Sequence, residues 1–140
     1  MNSPFQDGIN LRKQVLGEEY VDDSIADQSA VDPLQRLITE YAWGSVWTRS
    51  QLPLQVRSLS TIALLTALNR PHELSMHIRG AIRNGCTVEE VREMILHCAL
   101  YCGIPAALNA MALANEIFGA RWDEGMVDRD RPSPRPISET

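Results

Sequence analysis

The stretch Pro71–Gly119, PHELSMHIRGAIRNGCTVEEVREMILHCALYCGIPAALNAMALANEIFG, decides the fold. It repeats one grammar three times: a start signal, an apolar stripe at helical spacing, and a glycine stop. Pro71 can open a helix in which Leu74, Ile78, Ala81 and Ile82 point inward until Gly85 ends it. Thr87 followed by Glu90 is a capping box, in which two side chains satisfy amides that the first turn leaves free, and Gly103 ends the helix it starts. Pro105 opens a further helix, which Gly119 ends. The connections are only a few residues long, so these helices are expected to be antiparallel neighbours.

The same grammar extends upstream. From about Pro53, VRSLSTIALLTAL reads as a helix whose second half is apolar nearly all round and is expected to be buried. Before it, Leu34, Leu37, Ile38 and Tyr41 recur at the spacing of one helical face. Asp32 suits that helix's N-cap, Pro33 its first position, Gln35 the partner position of a capping box, and Gly44 its end. LRKQVLG suggests a short helix ended by Gly17, and DDSIADQSA a polar connection. No segment shows a period of two bounded by hairpin turns, so the expectation is an all-α multi-helix bundle. Residues 1–124 form its single domain, and the Pro-rich tail 125–140 lacks the apolar side chains to offset its ordering entropy, so it is expected to be mobile.

At 140 residues the chain suits one domain. Its 13 Lys and Arg against 18 Asp and Glu leave a net charge of −5 and no basic stripe, which argues against nucleic acid as a partner. No apolar run approaches the roughly 18 residues of a membrane span, and MNSPFQDGINLRK has no signal-peptide pattern, so a cytoplasmic location is expected. Cys86, Cys98 and Cys102 include no Cys-x-x-Cys pair and are expected to be reduced. Cys98 and Cys102 share a helical face and could pair or bind metal with His97, but small buried apolar residues is the preferred reading. In the last helix Ala107, Leu108, Ala110, Met111, Ala112, Leu113 and Ala114 make a nearly unbroken apolar belt. Self-association would cover a belt that so short a chain cannot.

Three features could carry chemistry. Glu73 and His77 lie four apart on one helical face, with Gly80 a turn further on leaving room beside the imidazole. A carboxylate there could fix the ring's tautomer and raise its pKa for acid–base work; an exposed i,i+4 pair is the plain alternative. Arg57, entering the most apolar helix, needs an anion, either Glu40, Glu73 or Glu93 of the chain or a ligand carboxylate. In YAWGSVWTR, Trp43 and Trp47 could form an aromatic wall with Arg49 poised for an acidic ligand, or simply anchor the core. His72 and His97 read as structural. With no nucleophile elbow, phosphate loop or metal-ligand spacing, what remains is an Arg–His–Glu site suited to anion binding and proton transfer without a metal or cofactor.

LRKQVLGEEYV, YAWGSVWTRSQL, RSLSTIALLTALNRPHELSMHIRGAIRNGCTVEEV and HCALYCGIPAALNA together resemble the 4-carboxymuconolactone decarboxylase family, in order and spacing, over roughly Leu11 to Phe118. The resemblance implies an alkyl hydroperoxidase D-like helical fold in a ring-shaped homohexamer. It also implies cofactor-free decarboxylation of 4-carboxymuconolactone, a small anionic lactone of the β-ketoadipate pathway. Peroxidases of that superfamily carry Cys-x-x-Cys followed by His. Here His77 matches the histidine, while Arg70 and Glu73 occupy the cysteine positions, which argues against thiol redox chemistry. The expected roles are carboxylate and oxyanion binding by Arg57 and Arg49, proton delivery by His77, orientation of that ring by Glu73, and exclusion of water by Trp43 and Trp47. A thiol peroxidase of the same superfamily and a non-enzymatic oligomer that binds an acidic metabolite stand as alternatives.

Overall fold

The computed structural model describes residues 1–25 and 32–119. Among them every regular element is helical: α1 (Pro4–Leu16), α2 (Glu18–Ser24), α3 (Pro33–Leu37), a π-helical segment (Ile38–Trp47), α4 (Leu54–Ala67), α5 (Pro71–Arg83), α6 (Val88–Cys102) and α7 (Ile104–Phe118). The Pro-rich tail expected to be mobile lies outside the described residues, as does the end of the polar connection before Asp32.

The second half follows the grammar of its sequence. At the start of α6 the Thr87 hydroxyl accepts from the Glu90 amide at 3.1 Å and the Glu90 carboxylate accepts from the Thr87 amide at 3.1 Å. Gly85, Gly103 and Gly119 stand at helix ends with φ of +92°, +93° and +89°, a region costly for residues with a Cβ. Ile62, Leu74, Ile78, Ala81, Val91, Ile95, Ala107, Ala110 and Ala114 form one buried core between α4, α5, α6 and α7. The α6 helix packs on α7 and α4, whereas α5 packs mainly on α4, α1 and α7 and touches α6 only slightly.

The first half departs from its sequence reading. The first helix starts at Pro4, well before LRKQVLG, because the Ser3 side chain caps it by accepting from the Gln6 amide. Asp32 does cap α3, accepting from the Leu34 amide at 2.7 Å. Gln35 completes no capping box; its side-chain oxygen accepts from Arg12 instead. Gly44 does not end the helix that Asp32 starts. The chain widens into an i→i+5 ladder that runs through Gly44 to Trp47, with the Ser45 hydroxyl donating to the Glu40 carbonyl across five residues. The reason is close packing: a Cβ at Gly44 would overlap the Pro4 carbonyl, and one at Gly8 would overlap the Thr39 carbonyl and the Gly44 amide.

Several apolar residues expected inside are exposed in the single chain. Leu34, Leu37 and Tyr41 turn outward while only Ile38 of that face is partly covered, because the opposite face, with Thr39 and Trp43, meets α1. In α4 Ile62 is fully buried but Leu64 is exposed, as is Leu68 at its C-cap, and Ile82 of α5 lies at the surface. On α7 Ala107, Ala110 and Ala114 face the core, while Leu108 and Ala112 face out. These side chains join Leu96, Leu100, Tyr101 and Ile104 as apolar surface beyond what one chain covers.

Candidate active site

His77 reaches the site from the middle of α5, whose Leu74, Ile78 and Ala81 are held in the core and so fix its rotation. Across the seam between the two halves, the π-helical segment supplies Trp43, which is buried, and Trp47, which is partly buried. The three rings pack against one another as a cluster. Trp43 and His77 are parallel within 1° with centroids 6.1 Å apart, Trp47 lies 6.0 Å from His77 at 25°, and the indoles are 4.7 Å apart at 26°. Such offset packing of flat rings rigidifies the wall and strips water from the imidazole.

His77 Nδ1 is buried and has no hydrogen-bond partner among the described residues. Burial pushes the His77 pKa down from 6.5 to about 4, and the charge of Glu73 opposes this only in part. Glu73 does act in the expected direction, but it is solvent-exposed and screened, so desolvation of the ring outweighs it, the net shift is downward, and the free site holds a neutral imidazole at pH 7. Gly80 leaves no room beside the ring either. A Cβ there would meet the Val15 side chain at 3.0 Å and the Val15 carbonyl at 3.1 Å, so Gly80 admits α1.

Arg57, in the first turn of α4, reaches back to the backbone of Arg49 in the preceding loop. The Arg57 guanidinium donates through Nη2 to the Arg49 carbonyl at 3.1 Å, and its Nε is buried without a partner. None of Glu40, Glu73 or Glu93 forms an ion pair with it; Glu40 is taken by Arg36 at 3.0 Å. Arg49 itself is exposed, and with Trp47, Leu11, Gln14, Leu54 and the acidic Asp7 it lines a cleft of about 610 Å³, whose lining includes neither Arg57 nor His77. These groups are one cation with spare donor capacity, a second at the cleft's edge, and a desolvated base on an aromatic wall, the kinds of group that bind an anion and exchange a proton.

The remaining candidates separate from this site. His72 and His97 are exposed, and His97 tilts against Tyr101 with ring centroids 5.1 Å apart. Cys102 is exposed, against the expectation that it is buried, because the end of α6 projects past the core. Burial pushes the Cys86 thiol up to about 11 and the Cys98 thiol upward as well, the direction opposite to thiolate chemistry. Sequence reasoning missed Arg12, which is buried with only 4% of its surface exposed and donates to Gln35 and Thr39. A lone Arg in an amphipathic pattern carries no signal of burial; only Gly8, four residues earlier on the same face, hinted at a close approach.

The model of the carboxymuconolactone decarboxylase family matches residues 32–116. A 4-carboxymuconolactone decarboxylase from Acinetobacter baylyi is 45% identical over 115 residues, covering 81% of this chain and 86% of that protein. A nitrosuccinic acid decarboxylase from Metarhizium robertsii is 43% identical over 126 residues, 89% of this chain and 88% of its own. A 15.0 kDa protein from Paracoccus denitrificans is 29% identical over 105 residues, 73% of this chain and 78% of its own.

Proposed function

The chain belongs to the carboxymuconolactone decarboxylase family, and from that premise we propose that it is a carboxy-lyase converting 4-carboxymuconolactone to the 3-oxoadipate enol-lactone in aromatic catabolism. The likeness to the named Acinetobacter decarboxylase carries this reading, and the ring cluster around His77 supports it.

The substrate is an unsaturated γ-lactone with a carboxylate on its γ-carbon. When the bond to that carboxylate breaks, CO₂ leaves and the electron pair enters conjugation with the lactone carbonyl as an oxyfuran-type dienolate. A proton added to carbon then gives the enol-lactone, so the net reaction consumes one proton. The substrate is its own electron sink; the protein has to bind a dianion, favour charge migrating toward oxygen, and supply the proton. We assign anion binding to Arg57 and Arg49, proton delivery to His77, and exclusion of water to Trp43 and Trp47. Glu73 favours the protonated ring through space. Because the free ring is neutral, the dianion's own charge must load it, and binding is expected to be accompanied by proton uptake.

A second reading rests on the comparable likeness to the nitrosuccinic acid decarboxylase. In nitrosuccinate, as in the lactone, the carbon that can lose CO₂ also bears a CH₂–carboxylate arm and an oxygen-bearing electron acceptor, here a nitro group that becomes a nitronate. Two neighbouring arginines suit either pair of vicinal carboxylates. Spectrophotometric assay of both compounds, with no metal or cofactor added, separates the readings. Turnover of the lactone supports the first, turnover of nitrosuccinate alone supports the second, and turnover of neither rejects both.

The exposed apolar side chains of α3, α4, α6 and α7 support self-association, for which we propose the homohexameric ring. Light scattering that returns a monomer at micromolar concentration contradicts it. The free thiols support a reducing, cytoplasmic compartment, and no helix among the described residues is long and apolar enough to cross a membrane.

A further inference from the structure

Arg12 is the most costly side chain in the first half. Its guanidinium is buried, no carboxylate among the described residues lies within ion-pairing distance, and its Nε has no partner. Desolvation lowers its pKa, with Tyr20 opposing. A charge placed so deep without a counter-charge adds little to stability, and a well-packed apolar residue of similar volume is often equal or better. Its retention calls for another reason.

Besides its hydrogen bond with the Tyr20 side chain, two further bonds give one. Its Nη1 donates to the Gln35 side-chain oxygen at 3.0 Å and to the Thr39 hydroxyl at 3.3 Å. The Thr39 hydroxyl in turn donates to the Gln35 carbonyl at 2.8 Å. Gln35 lies in α3 and Thr39 in the π-helical segment, so Arg12 spans the point where the backbone ladder changes from i→i+4 to i→i+5. Gly8, four residues before Arg12 on the same face of α1, lets that helix press on the Thr39 carbonyl and the Gly44 amide. An i→i+5 ladder places one more residue in each hydrogen-bonded ring than an i→i+4 ladder. If the segment relaxed to ordinary α-helix, every side chain beyond Thr39 would turn about the axis. Trp43 and Trp47 would then lose their placement on His77.

We propose that Arg12 is a positioning residue: by clamping Gln35 and Thr39 across the α-to-π junction it holds the widened ladder in register and thereby sets Trp43 and Trp47 against His77. The proposal rests on the decarboxylase reading for its consequence in turnover, but not for its structural claim.

The test uses the full chain in a Trp122→Phe background, so that only Trp43 and Trp47 report. Arg12→Met, Arg12→Lys and Thr39→Val are compared by near-ultraviolet circular dichroism and indole emission, with kcat and KM measured on the lactone. Arg12→Met is expected to fold and to lose the dichroism of the stacked indoles. Its kcat should fall about tenfold or more with KM changed less than about threefold, the cost of a wall displaced by an ångström or so. Arg12→Lys, which can reach one acceptor at a time, should recover part of both signals. A folded Arg12→Met with the wild-type indole signature and kcat within twofold overturns the proposal. If Arg12→Met does not fold, Thr39→Val decides: an altered indole signature supports the clamp and an unchanged one overturns it. If the wild type turns over neither substrate, the decarboxylase reading fails, while the indole signatures still decide the clamp.

Discussion

From α4 to α7 the helices meet through side chains; from α1 to the π-helical segment side-chain packing is joined by direct backbone contact. In the former, Ile62, Ile78, Val91 and Ile95 share one buried core, and α6 starts and stops where its own residues dictate. In the latter, Gly8 and Gly44 bring two backbones into contact and a buried arginine bridges the join. The contrast shows that one small bundle can pair a core that tolerates repacking with a joint that tolerates no added atom. The ring cluster lies where the two meet, with His77 from one and Trp43 and Trp47 from the other.

The largest effect expected from this contrast is at Gly8. Gly8→Ala forces a methyl into the Thr39 carbonyl and the Gly44 amide, neither of which can rotate away. Overpacking against backbone should cost about 3 kcal/mol or more, against about 1 kcal/mol for Ile62→Val in the other core. Thermal or urea unfolding of the two variants measures the gap, and equal losses would erase the distinction.

Next in size is the acid response of the cluster. The folded chain holds His77 neutral down to about pH 4, whereas the unfolded chain protonates it near 6.5. The unfolded state therefore binds the extra proton in that window. The resulting stability is fully present above about pH 6.5 and is lost as pH falls toward 4. Urea midpoints across that range should decline more steeply for wild type than for His77→Gln, while parallel curves would mean that the ring is not desolvated. The smallest effect is at the α6 cap. Thr87→Ala should cost about 1 kcal/mol and leave kcat unchanged, since the cap lies in the half that obeys local rules. A larger loss, or a loss of turnover, would show the halves to be more tightly coupled than their packing implies.

The same contrast explains what could be read from residues alone. Caps, stripes and glycine stops are local, so α5, α6 and α7 are legible within a residue or two, and the resemblance to the decarboxylase family adds the fold. The π-helical segment is not legible, because the widening answers contacts with Pro4 and Gly8, far away in sequence, that no helical period encodes. Of the site, His77 packs on Trp43 and Trp47, and Arg57 meets the backbone of Arg49; that the two pairs serve one substrate is the proposal, not something the spacing reveals. The pKa direction of His77 does not follow from spacing: Glu73 is visible in the sequence, whereas the depth of the ring, which outweighs it, depends on the packing of indoles from another element. Leu34, Leu37 and Tyr41 have the period of a buried face yet look outward, since periodicity marks an apolar face without saying what covers it.

The most direct measurement is the rate of CO₂ release from 4-carboxymuconolactone by His77→Ala beside wild type, with calorimetric binding of a non-reacting dicarboxylate analogue on the same samples. Loss of the proton-delivering ring should lower kcat by about 10²–10⁴-fold. The analogue should still bind within a few-fold, because the arginines remain. A variant that binds as wild type and also releases CO₂ within twofold of its rate would contradict the assignment of the reaction to the imidazole on that aromatic wall.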